Sequence, residues 1–238
     1  MHAVAGRGRR ASLTAAGVDG VAGVDGVPGG WVVARGAGGR VTWTVVRSAA
    51  DVLETTAGCR AVGVDIPLGL PAGAGPRACD VACARRLGCA RSSVFPAPPR
   101  PVLAARTPEE AFAVARRLTG RAISLQTFHI GPKIREWDAL APPGHVVEVH
   151  PEVSLRTLAP GVAFASKKTA RGAGQRIAAL ARWLDVGEAL GDLPSGARLD
   201  DVLDALAAAW SAQRFAAGTA EVLGAEVDDR GRPMRVVV

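Results

Sequence analysis

Apolar positions change rhythm along this chain, from short strand-like runs near the start to wider, helical spacing further on. Trp31-Val-Val-Ala-Arg35 and Val41-Thr-Trp-Thr-Val-Val46 are rich in β-branched and aromatic residues, and the glycine-rich stretch 36–40 between them predicts a hairpin turn. An apolar run ending at Asp25 precedes them, so three strands open the fold. Ala49–Ala57 predicts a short helix stopped by Gly58. Ala61–Asp65 is an uninterrupted apolar run, of the kind buried on both faces of a parallel sheet.

Residues 72–140 leave this alternation. They predict a basic helix over Pro76–Leu87, an irregular Ser92–Pro101 loop, and helices near Pro108–Leu118 and Gln126–Leu140. Together they read as an insertion forming a lid or binding subdomain. His145–Val149 predicts a fifth strand, helices follow near Gly172–Leu184 and Leu199–Ala217, and Met234–Val238 suits a last edge strand. The order β-β-β-α-β-insertion-β-α-α predicts an α/β fold: a ribonuclease H-like mixed sheet flanked by helices, in one domain over residues 17–238. Residues 1–16, with Arg7, Arg9 and Arg10 ahead of a weak apolar stretch, read as a disordered leader on a cytoplasmic protein. No window approaches the roughly 18 apolar residues of a membrane span.

Carboxylates are rarely buried unless paired or bound to metal. Two of them close apolar runs here: Asp25 in Gly23-Val-Asp25-Gly-Val-Pro-Gly-Gly-Trp31, and Asp65 in Ala61-Val-Gly-Val-Asp65-Ile-Pro67. A third group, Asp200-Asp201-Val-Leu-Asp204, opens an alanine-rich helix. Residues three apart share a helix face, so Asp201 and Asp204 can turn toward one site while Asp200 suits a capping role. A shared divalent cation, Mg2+ or Mn2+, accounts for all four. In that reading Asp25 bridges two ions, Asp65 and Asp204 each hold one, and Asp201 completes the shell. The alternatives are turn-capping Asp residues and an ordinary acidic helix N-terminus. A near-copy of the first motif, Gly17-Val-Asp19-Gly20, does not run on into a strand, and Asp19 is read as a near-repeat in the leader.

Glu148-Val-His150-Pro-Glu152 follows at the end of the fifth strand. If the chain stays extended, alternation places Glu148, His150 and Glu152 on one face. Glu148 or Glu152 then offers a further ligand and His150 a proton shuttle. On that reading Glu148→Gln lowers turnover far more than stability; the alternative is a hydrogen-bonding histidine at a strand end.

Net charge is +7, and residues 72–135 alone hold eleven basic against three acidic residues, 11 − 3 = +8, leaving the remainder near neutral. A localised basic segment fits a polyanion such as DNA or RNA. Lys133, Arg135, Lys167, Lys168, Arg85 and Ser93 are candidates to steady phosphates or shape a substrate slot, each equally explained as solvated surface. Trp31, Trp43, Trp183 and Trp210 suit the core, and Trp137 is a candidate for base stacking. Cys59, Cys79, Cys83 and Cys89 lack the spacing of common zinc sites and read as reduced thiols. There is no Walker-type phosphate loop, no strand-linked G-x-G-x-x-G and no nucleophile elbow.

The segments GVDGVPGGWV (23–32), VDIPLGLP (64–71), Arg77-x-Cys79-Asp80 with Arg85, SSVFPAP (92–98), EVHPE (148–152) and DDVLDALAAAW (200–210) together resemble domain-of-unknown-function family 429. Val27 stands where that family usually has Cys. The resemblance covers about residues 17–218 and implies a predicted nuclease of ribonuclease H-like fold with a metal–carboxylate site. The leading expectation is a metal-dependent nuclease. Two others stay open: a nucleotide phosphohydrolase or phosphotransferase of related fold, and a non-catalytic nucleic-acid-binding module. A homodimer is compatible with any of them.

Overall fold

Glycine turns set the first three strands. In the computed structural model, which describes residues 18–73 and 75–238, β1 (Val21–Val27), β2 (Gly30–Ala37) and β3 (Arg40–Val46) form an antiparallel meander. Its turns place Gly29, Gly38 and Gly39 at φ of 73°, 59° and 78°, where side-chain-bearing residues are strained. The predicted leader, residues 1–16, lies outside the described residues. Asp19 does not: its carboxylate accepts from the Gly39 N–H at 2.8 Å, pinning the β2–β3 turn to the chain entering β1. It is a structural turn residue of the domain rather than part of a leader.

Helix α1 (Ala49–Thr55) starts in a capping box between Ser48 and Asp51. The chain then returns as β4 (Ala61–Val64), parallel to β1, and later as β5 (Val146–Glu148), parallel to β4. The resulting five-stranded mixed sheet has the order β3-β2-β1-β4-β5. Between β4 and β5 lie α2 (Ala78–Leu87), short 3-10 turns at 88–93 and 100–104, α3 (Pro108–Thr119) and α4 (Leu125–Leu140). This segment is not a detached subdomain. Helix α4 buries Ile134 and Trp137 in the same core as Val24, Trp31 and Val64. Trp137 is fully buried, edge-on to Trp31 with ring centroids 5.8 Å apart, so it is closed to base stacking.

The opposite face of the sheet is covered by α5 (Pro151–Leu158), α6 (Ala170–Leu180), the short α7 (Val186–Ala189) and α8 (Leu199–Ala216). Here the alanine-rich sequence of α8 has its physical reason. A Cβ at Gly23 would sit 2.0 Å from the Ala205 carbonyl oxygen and 2.3 Å from the Ala209 nitrogen, and one at Gly63 would sit 2.4 Å from the Ala208 oxygen. Glycine on both strands and alanine on the helix let the backbones of β1, β4 and α8 nearly touch.

Both late strands form, each with a difference from expectation. The chain does not stay extended through Glu152, because α5 begins at Pro151 with His150 as its N-cap. The C-terminal segment forms β7 (Pro233–Val237), which pairs with β6 (Val222–Val227) in a separate two-stranded sheet and is joined to the main sheet by a bridge between Val149 and Val237. The four thiols are all free, with Cys89 exposed and the others buried. No helix among the described residues is long and apolar enough to cross a membrane.

Candidate metal centre

Each of the parallel strands β1, β4 and β5 has a carboxylate at or near its carboxyl end: Asp25 two residues before the end of β1, Asp65 one residue past β4, and Glu148 closing β5. The carboxyl ends of parallel strands are the usual place for ligands in open α/β sheets. Helix α8, pressed against β1 and β4 through their glycines, delivers Asp204 to the same place. One carboxylate oxygen from each of Asp25, Asp65 and Asp204 lies within 4.8 Å of the others. Asp25 and Asp204 are buried and Asp65 is partly exposed, which leaves the cluster one open side.

Their hydrogen bonds are too few to explain them. Asp25 Oδ1 accepts from the Gly26 N–H at 2.6 Å. Asp204 Oδ2 accepts from Lys167 Nζ at 2.5 Å, while Asp204 Oδ1 is buried without a partner among the described residues. An uncompensated carboxylate oxygen is costly in a protein interior. Burial is the main force raising all three pKa values. It acts with repulsion from Asp65 and Asp204 to lift Asp25 well above the usual carboxylate range. Asp65 rises to about 8 through burial and repulsion from Asp204, with Glu148 and Glu152 adding to it and Lys167 opposing. Asp204 rises only to about 6, because its contact with Lys167 offsets much of the burial. If all three carboxylates ionise, their −3 and the +1 of Lys167 leave −2, the complement of one divalent cation.

The other predicted residues scatter. Asp201 does not join the cluster: its Oδ2 accepts from the Arg198 N–H at 3.3 Å, so it takes the capping role predicted for Asp200. Glu148 is consumed by Arg77, whose guanidinium uses all five of its N–H groups. It gives two to Glu148 (2.6 and 2.7 Å), two to Asp80 (2.6 and 3.1 Å) and one to the Gly69 carbonyl (2.8 Å). The Leu68 N–H closes the remaining demand of Glu148 at 3.0 Å. Glu152 is paired with Arg176.

His150 Nε2 meets the Ser93 carbonyl at 3.3 Å, and burial lowers its basicity. Ser93 Oγ in turn donates to the Ala90 carbonyl at 2.8 Å. These two residues fasten the 88–93 turn to the end of β5 rather than forming a substrate slot. Lys133 comes close to the cluster: its ammonium donates to the Gly30 carbonyl, lies 4.2 Å from the centre of the Trp31 ring and senses the charge of Asp25. Arg135 donates to the Leu103 carbonyl at 2.6 Å, pointing away from the cluster, and Arg85 and Lys168 are exposed. The Arg77–Asp80–Glu148 network was legible in sequence only as a basic and an acidic residue three apart at a helix start.

A family model described as "Protein of unknown function (DUF429)" matches residues 23–229. The chain belongs to this family. Within DUF429, the matched span begins two residues before Asp25 and takes in Asp65, Lys167 and Asp204. No curated protein and no solved structure matches the chain.

Proposed function

We propose that this chain is a divalent-cation-dependent nuclease that hydrolyses phosphodiester bonds, with a ribonuclease H-like sheet as its scaffold. The observation that carries this reading is the convergence of Asp25, Asp65 and Asp204, with Asp204 Oδ1 buried and unpartnered. The strand order β3-β2-β1-β4-β5, with acidic residues at the ends of β1 and β4 and on the last long helix, supports the scaffold.

The donor set is all oxygen, which suits the hard cations Mg2+ and Mn2+ rather than zinc. Such a cation, when bound, polarises a phosphoryl oxygen and lowers the pKa of a coordinated water. Asp25, Asp65 and Asp204 hold it. A second cation would need one more acidic ligand; Glu152 is near enough to perturb both Asp65 and Asp204, and would serve only by giving up its pairing with Arg176. Lys167 neutralises Asp204 and lies beside the place where a phosphate would bind; Lys133 adds positive charge on the Asp25 side. The basic segment between β4 and β5 gives the strand of a nucleic acid an attractive surface.

The test is cleavage of a labelled panel containing single strands, duplexes, an RNA–DNA hybrid and a four-way junction, with Mg2+ or Mn2+. Cutting that needs the metal and disappears in Asp25→Asn is the expected result. Phosphate release from free nucleotides without strand cleavage would instead favour the phosphohydrolase reading, to which the exposed Pro28–Gly29 turn after Asp25 lends itself. Strand binding that survives EDTA and Asp25→Asn, with no hydrolysis, would leave a binding module.

A further inference from the structure

Helix α4 carries two residues that helices disfavour, Gly131 and Pro132, side by side in its interior. Proline has no N–H to give, so the carbonyl of Phe128, four residues back, loses its helical partner. The tertiary packing around Gly131 leaves room for a side chain. A Cβ on Gly131 would meet only Leu103 Cδ2, at an ordinary 3.8 Å. What lies against the two residues is a cavity of about 560 Å³ between α4, the 100–104 turn and the chain entering α4. A site for a small organic ligand typically has about 300–1,000 Å³.

The chemistry of the cavity is one-sided. Its apolar wall includes Val102, Leu103 and the ring of Phe128. Its polar lining includes Arg106, His129 and Arg135, and among the described residues no acidic one lines it. Among the described residues the Arg106 guanidinium has no hydrogen-bond or ion-pair partner, and Arg135 uses one N–H group on the Leu103 carbonyl. Gly131 and Arg135 stand two residues to either side of Lys133, so the helical repeat of about 100° per residue puts them on the opposite side of α4 from the metal centre.

We propose that this cavity is a second ligand site, distinct from the metal centre and built for a nucleoside monophosphate. A flat base fits against Phe128 and the aliphatic wall, with an N–H group meeting the freed Phe128 carbonyl. Arg106 and Arg135 hold the phosphate. The missing side chain at residue 131 keeps the space open, and Pro132 frees the acceptor. This site does not depend on the nuclease reading, since none of its residues touches Asp25, Asp65 or Asp204.

The experiment is calorimetric titration of the full chain, in EDTA, with AMP, adenosine and inorganic phosphate as probes. AMP is expected to bind saturably and more tightly than either fragment. Gly131→Leu, which fills the cavity, and the double variant Arg106→Gln/Arg135→Gln are each expected to weaken AMP by roughly tenfold or more. Asp25→Asn is expected to bind AMP as the wild type does. No saturable AMP binding, or equal affinity in the two-arginine variant, would overturn the proposal. So would loss of AMP binding in Asp25→Asn, which would place the nucleotide at the metal centre. Should Gly131→Leu fail to fold, the two-arginine variant decides alone.

Discussion

Arg77 shows how little charge alone says about a residue's work. It is one of many arginines in the sequence, yet it is buried and spends every donor on Glu148, Asp80 and Gly69. Arg77→Met leaves two carboxylates buried without their counter-ion, and the expected loss is about 3–5 kcal/mol in urea unfolding. Arg40, exposed and paired with Glu188 at 3.0 Å, is the control: Arg40→Ala should change stability by less than about 1 kcal/mol. Glu148→Gln, which the strand-end pattern marks as a turnover variant, becomes chiefly a stability variant, because Glu148 faces Arg77 and the Leu68 N–H. Comparing its unfolding midpoint with its metal affinity separates the two roles: the midpoint should fall while metal binding changes little.

Among elements, α8 governs the centre, and it does so through what β1 and β4 lack. Gly23→Ala puts a methyl group into the Ala205 carbonyl and the Ala209 nitrogen, so the helix must move. The expected cost reaches about 3 kcal/mol, the upper range for overpacking. The same substitution should weaken Mg2+ binding measured by calorimetry, since α8 carries Asp204 while β1 carries Asp25. In α4 the balance is closer: Gly131→Ala meets no close contact from other segments, but its Cβ crowds the ring of Pro132, so the expected change in Tm is small.

For the whole molecule, the three raised pKa values couple folding to pH and to metal. The unfolded chain releases the Asp65 proton near its ordinary value of 3.8, whereas the fold holds it to about 8. Asp204 behaves likewise with a folded value of about 6. Between these limits the folded state binds more protons than the unfolded state, so this contribution to stability falls as pH rises from about 4 to about 8. A divalent cation requires the ionised carboxylates, so its stabilising effect should grow over the same range. Thermal melts at several pH values, with EDTA and with Mg2+, check both slopes. A Mg2+ effect that stays constant across the range, or any stabilisation retained in Asp25→Asn, would count against the centre.

The sequence by itself determined what depends on neighbours along the chain. It carried the glycine-turned meander, the boundaries of α1, α3, α4 and α8 to within a few residues, and the acidic ends of β1 and β4. Turn conformation, helix capping and hydrophobic rhythm are local, so they are legible without a fold. It could not decide between Asp201 and Asp204, because three residues apart on a helix means the same face but not the same depth. Only the close approach of α8 to Gly23 and Gly63 buries Asp204 and leaves Asp201 to cap. Nor could it show that Pro151 would turn the chain into a helix, or that Glu148 would be claimed by an arginine 71 positions earlier. Those outcomes rest on contacts between distant segments, and long-range packing decides which of several acidic residues is left without a partner.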